Sequence, residues 1–233
     1  MHVRDSSRAA VLHALDLGAR GIIIPDVQSV EEARRLVEYA KYYPLGARGF
    51  AFSRSAKYGF LPELKQIGDY FTATNQRTIL MPQCETAGAL EHIEEIAALD
   101  GIDGIVIGSP VYYAAASGQV TCFLNRLFYA GGRRMAGKAG AAVVSCRRGG
   151  AASAFDQLNK YFTISNMPVV SSQYWNQVHG NTPDEVRQDA EGLQIMRTLG
   201  ENMAWLLRSL EAARAAGVPA PEYEARIGTN FIR

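Results

Sequence analysis

Little in this chain marks a special environment. Cysteine is scarce, with only Cys84, Cys122 and Cys146. An odd number without Cys-x-x-Cys spacing argues against a disulfide framework or zinc site and fits a reducing cytoplasm. Neither sign of charge accumulates: the formal net charge is +1, which gives no electrostatic case for nucleic acid or an anionic membrane as partner. No apolar run approaches the roughly 18 to 20 residues that cross a bilayer. The opening Met1-His2-Val3-Arg4-Asp5 turns polar at once, unlike a secretory signal. Repeats, low-complexity stretches and Ser/Gly linkers are also missing. The expectation is a single α/β domain over residues 1–233.

What is present is an alternation of short apolar runs and amphipathic helices. Strands are expected at His2–Arg4, Gly21–Pro25, Thr78–Pro82, Asp103–Gly108, Gly140–Cys146 and Met167–Ser171. The longer ones are almost wholly apolar, as parallel strands covered on both faces are. Ser6 or Ser7 can cap a first helix that buries Val11, Leu12 and Leu15 and stops at Gly18. Ser29-Val30-Glu31-Glu32 is a capping box. Leu90, Ile93, Ile96 and Leu99 form one stripe, and Phe123, Leu124, Leu127 and Phe128 another. Thr182-Pro183-Asp184-Glu185 opens a last helix running to about Ala216. Residues 43–75 are irregular, with a helix expected over Leu61–Thr74.

Residues 1–108 carry Val3-Arg4, Ala14–Pro25, Tyr43-Pro44-Leu45-Gly46-Ala47-Arg48-Gly49, Gln83-Cys84-Glu85-Thr86 and Gly101–Gly108. In this they resemble the class II metal-dependent 2-keto-acid aldolases, which are TIM barrels. The resemblance implies that Glu85 is a remnant metal ligand and that Arg4 and Gln83 line a pyruvate site. That chemistry needs a divalent ion to polarise the keto oxygen. The family's second carboxylate follows the Gly-Ile-Asp-Gly strand, where this chain reads Ser109-Pro110-Val111-Tyr112. One carboxylate holds a hard cation poorly. Magnesium or manganese is therefore not expected.

Residues 103–233 carry Asp103–Gly108 followed by Ser109-Pro110-Val111-Tyr112-Tyr113, Ser117-Gly118-Gln119, and Ser145-Cys146-Arg147-Arg148-Gly149-Gly150. They resemble the flavodoxin-like NAD(P)H-dependent FMN reductases. The resemblance implies FMN as cofactor, with Ser109, Pro110, Val111, Tyr112 and Tyr113 on one side of the flavin ring. Cys146, Arg147, Arg148, Gly149 and Gly150 would meet the other edge. The family's phosphate turn is missing. Thr86 is the residue left to serve it, with Glu85 beside it as a repelling charge.

These observations give a fold expectation of α/β class: a parallel sheet of five to six strands, half TIM barrel and half flavodoxin-like. Segment 1–102 derives from the barrel and 103–233 from the flavodoxin-like fold. Barrel order through the join places successive strands side by side. The long C-terminal helix then covers the second face, burying Leu199, Met203 and Leu206. Incomplete covering would favour a homodimer. The leading functional expectation is a fold chimera, engineered in preference to naturally recombined, with no complete active site and at most residual FMN binding. An FMN oxidoreductase and a metal-dependent aldolase are the alternatives, with a small molecule as the partner in each. Gly132–Ala139 approaches a P-loop but lacks the final Ser/Thr and precedes a strand, so it reads as a turn. His13, His92 and His179 are left without a role.

Overall fold

The computed structural model describes residues 1–61, 66–225, 227–229 and 231. Residues 62–65 of the helix expected over Leu61–Thr74 lie outside them. The first half runs α1 (Arg8–Asp16), β1 (Gly21–Ile24), α2 (Val30–Ala40), a 3-10 turn (Arg54–Gly59), α3 (Ile67–Arg77), β2 (Ile79–Pro82), α4 (Ala87–Glu91) and α5 (Ile93–Ala98). Ser7 is the residue that caps α1, accepting from Ala10 N–H. Ser29 caps α2 through Glu32 N–H, and the Glu32 carboxylate returns to the N–H of Gln28, closing the box one residue early. β1 and β2 pair in parallel, and His2 adds a single bridge to Ile23. Their core gathers Val11, Leu15, Ile22, Ile24, Leu36 and Ile96. An aromatic box lies beside it. Tyr42 stacks on Phe71 at 4.4 Å, and the buried Arg48 guanidinium sits over the Tyr42 ring at 4.6 Å and bonds Asp16 at 2.9 Å.

The second half continues with β3 (Gly104–Tyr112), β4 (Ala115–Ala116), α6 (Gly118–Gly131), β5 (Ala139–Cys146), α7 (Ala151–Ile164), β6 (Gln177–His179), α8 (Pro183–Gln188) and α9 (Ala190–Ala215). The sheet order is β4-β3-β5-β6, parallel except at β4. Ile107, Ala142, Val144 and Cys146 face α6 and α7 in the larger core. Ala139, Ala141 and Val170 face α9. Leu199 of α9 is buried there, while Met203 and Leu206 are half-buried against the same cluster. Val106, on that face of β3, is 53% exposed, so α9 covers β5 more fully than β3.

Four expectations are corrected. The strands do not form one five- to six-stranded sheet: β1-β2 and β4-β3-β5-β6 are separate, with no pairing of β2 to β3 among the described residues. The stretch Met167–Ser171 yields only a bridge, Gly140 to Val169. The edge strand is completed by β6, and buried Asn176 spans the gap by donating to Ala142 O and Val170 O at 3.1 and 3.4 Å. The helix after Ala87 breaks at His92, turning Leu90 outward. The last helix is two, because Asp189 leaves helical geometry and caps α9 through Gly192 N–H. No described helix is long and apolar enough to cross a membrane.

The two halves meet through α5. Ile96 and Leu99 enter the first core, while Ile93 and Ala97 enter the second. Lys138, just before β5, fastens the turn that follows α5: its ammonium donates to Ala97 O, Ile102 O and Leu99 O at 2.5, 2.6 and 3.3 Å. Hydrogen bonds from a charged donor are worth about 1.5–3 kcal/mol, and unpaired buried carbonyls cost a similar amount. Lys138→Met should therefore lower the unfolding free energy by about 2–3 kcal/mol in urea. Tryptophan fluorescence reports only the second half, through Trp175 and Trp205, whereas circular dichroism reports both halves. Coincident transitions are expected; separated ones would show that the cores unfold independently.

Candidate functional site

β3 does not stop at Gly108. It runs on to Tyr112, reverses through Tyr113 and Ala114 at positive φ (51° and 60°), and returns as β4. Two successive left-handed residues are what a tight two-residue hairpin needs, usually from Asn or Gly. Tyr and Ala adopt this conformation at a cost of order 1–2 kcal/mol. Tyr113 at the tip is fully exposed, and Tyr112 is 59% exposed. Val111 and Tyr112 pair with Ala116 and Ala115, so part of the backbone offered to a ligand by the sequence reading is spent inside the hairpin. Buried Ser109 works inward: its hydroxyl donates to Pro110 O and accepts from Ser117 N–H, which seats the cap of α6.

The second turn sits directly against this hairpin. Cys146 is buried at the end of β5, and Arg147, Arg148 and Gly149 are exposed. Gly150, at φ 90°, leads into α7. A Cβ at Gly150 would stand 2.8 Å from Ala114 Cα and 3.2 Å from Val111 Cγ1. Ala116 N–H donates to Gln157 of α7 at 3.1 Å, closing the contact. The fold thus brings both expected flavin turns to one edge, where the first turn of a 14-residue helix opens without a side-chain cap.

The residues expected as aldolase and phosphate remnants lie elsewhere, around β1 and β2, and Glu85, Gln83 and Thr86 are engaged within the fold. Glu85 accepts from Asp26 N–H at 3.3 Å. Gln83 bonds the His2 ring at 3.2 Å, and Arg4 is exposed beside Asp5. The Thr86 hydroxyl donates to Val27 O at 2.6 Å and accepts from Ala89 N–H. A Cβ on Gly88 would lie 2.4 Å from Gln28 O. The connection from β1 to α2 therefore lies across the turn that would receive a phosphate. No group of three or more His, Cys, Asp or Glu placed to hold a metal ion occurs among the described residues. Two open clefts, of about 650 and 590 Å³, lie between α2 and α5 and beside Arg20 and Arg54, lined by residues outside both turns.

Sequence reasoning missed β6 and what it carries. In the register Cys146 to His179, β6 ends beside the second turn, and Gly180 N–H donates to Cys146 O at 3.1 Å. The interrupted edge hid this strand. The Val-His-Gly run was its only local signal. Burial works to raise the Asp189 carboxyl, but the N–H groups of Gly192 and His179 and then the His179 ring outweigh it and hold the acid below its usual value. The Cys84 thiol is pushed by burial up to about 11.

The comparisons with known proteins match this two-part picture. The family model for NADPH-dependent FMN reductase matches residues 53–182, beginning ahead of β2. A 4-hydroxy-2-oxovalerate aldolase of Novosphingobium aromaticivorans is 34% identical over 118 residues, 51% of this chain and 42% of that protein. A 2-keto-3-deoxy-L-rhamnonate aldolase of Salmonella newport is 37% identical over 106 residues, 45% of this chain and 38% of that protein. The chain spans less than half the length of these curated relatives. Among solved structures, the HpcH/HpaI aldolase of Desulfitobacterium hafniense aligns with 84% of this chain and 71% of its own at TM-score 0.52 and 22% identity, a likeness of fold.

Two outcomes follow from the geometry. Gly150→Ala should cost about 1–3 kcal/mol in urea unfolding, from the positive φ and the hairpin contact together. Gly149→Ala, with nothing within 4 Å, should cost far less. With a thiol reagent at pH 8, the exposed Cys122 should react promptly, while Cys84 and the buried Cys146 lag by at least about tenfold.

Proposed function

The chain belongs to the NADPH-dependent FMN reductase family, and on that premise we propose that it binds the isoalloxazine ring of a flavin on the surface that the Val111–Ala116 hairpin and the Cys146–Gly150 turn form together, for reduction by a reduced nicotinamide. The observation that carries this reading is the approach of Gly150 to Ala114, which makes one surface of two turns distant in sequence. Tyr112 and Tyr113 supply aromatic area, and Arg147 and Arg148 supply positive charge near the edge where a reduced ring becomes anionic. Flavin provides the redox chemistry; the protein binds and orients it.

The ring fits this edge better than the phosphate does. A phosphate turn gains affinity from several charge-assisted hydrogen bonds of about 1.5–3 kcal/mol each. The hydroxyl of Thr86 is engaged by Val27, and the backbone of residues 26–28 crowds the place. A flavin held by its ring alone exchanges readily, so it serves as substrate more than as resident cofactor. The first half then acts as scaffold: Glu85, Gln83 and Arg4 are remnants of a barrel site in an engineered join between a barrel segment and a flavodoxin-like one. Lyase chemistry is not proposed, since the second carboxylate of that site is absent from the chain.

Fluorescence quenching separates the possibilities. Riboflavin and FMN should both saturate, with dissociation constants within about threefold, because the phosphate finds no grip. FMN binding tighter by tenfold or more would place a phosphate site somewhere in the chain. No saturation with either ligand would overturn the flavin reading.

A further inference from the structure

The sequence leaves His179 unassigned, but the fold places it at the flavin edge. β6 runs parallel to β5 and pairs His179 with Cys146, so the residue ends its strand beside the Cys146–Gly150 turn. Its N–H donates to Asp189 Oδ2 at 2.7 Å, and its Nδ1 stands 3.7 Å from the same oxygen. Asp189 is itself fixed, because Oδ1 accepts from Gly192 N–H at 2.9 Å where α8 breaks and α9 begins. The imidazole is therefore oriented from one side, while its ring remains partly exposed on the other.

We propose that His179, held by Asp189, is the proton-transfer residue of this edge, a role that rests on the flavin reading above. Reduction of a flavin by a nicotinamide moves one hydride with its two electrons and needs one further proton for a neutral product. The Nε2–H bond of the imidazolium breaks, an N–H bond forms on the ring, and the neutral imidazole is recharged from solvent. Asp189, facing Nδ1 at 3.7 Å, leaves Nε2 as the nitrogen turned outward. The other charges near this edge are Arg147 and Arg148 on the turn, Asp184, Glu185 and Arg187 on α8, and Glu191 on α9. Glu185 is occupied by the N–H of Asn181, and Asp184 pairs with Arg187. Asp189 is thus the carboxylate in contact with the imidazole among the described residues.

The experiment uses the full chain with His179→Gln and Asp189→Asn, the latter keeping an oxygen to cap α9. General acid catalysis is worth roughly 100-fold or more. His179→Gln should lower kcat for nicotinamide-driven flavin reduction by about 30- to 100-fold, flatten its pH profile and respond to added imidazole. Riboflavin quenching should change less than about threefold. Asp189→Asn should give a smaller loss and a displaced profile. Independently of turnover, the His179 imidazole resonance, identified by its absence in the Gln variant, should shift when riboflavin is added to the wild type. An unchanged rate and profile, or a resonance indifferent to riboflavin, overturns the proposal while leaving flavin binding intact. Loss of riboflavin binding in both variants would make the pair structural and overturn it too. Failure of the wild type to quench any flavin removes the reading on which it rests.

Discussion

The attachment of Lys138 to the turn after α5 is the constraint on which the rest depends. One ammonium group supplies donors to three carbonyls, of Ala97, Leu99 and Ile102, around a single turn. Burial makes that charge expensive and pulls the lysine below its usual value, with Asp103 and Asp100 working the other way. What the contact secures is geometry. The turn it holds feeds directly into β3, and β3 carries the hairpin at its far end. The same helix, α5, lends side chains to both cores, so neither half closes without it. Lys41 does a parallel task in the first half, donating to Asn75 O and Thr78 O at the end of α3. In each case a cation finishes a helix end ahead of a strand, where free carbonyls attract positive charge.

The parts of the fold that were legible in the sequence are those set by local chemistry. Caps at Ser29 and Thr182, the apolar runs of β1, β3 and β5, and the turn at Gly132–Met135 follow from residue type and spacing alone. What was not legible depends on distant partners. Nothing near His92 announces a break in the helix, and the residue leaves helical geometry there at φ −115° and ψ 17°. Pairing between β2 and β3 was expected from barrel order, yet order in the chain does not fix a hydrogen-bond ladder. The edge strand was misplaced because its two pieces are separated by a loop, and only the buried amide of Asn176 makes them continuous.

The candidate site divides along the same line. Both turns were readable, since each carries its own composition of Ser, Pro, Tyr, Arg and Gly. Their mutual contact was not, because it depends on the packing of α7 against β4. The phosphate turn shows the reverse case. Thr86 looks available in sequence and is spent in the structure, since the connection between β1 and α2 takes its hydrogen bonds. A residue's chemistry is local, but whether that chemistry is free is decided by the fold.

The separation of the two sheets has one more consequence. Along Gly104–Pro110, β3 has a partner on one side only among the described residues, and Val106 stands open beside that edge. Unpaired strand edges with apolar neighbours act as templates for other extended chains. The run Gly104–Gly108 holds neither proline nor a charged residue, and the strand's first proline comes at position 110. The place where the two resemblances meet is thus also a place where, before β5 docks, an extended apolar strand offers its backbone to whatever chain comes near.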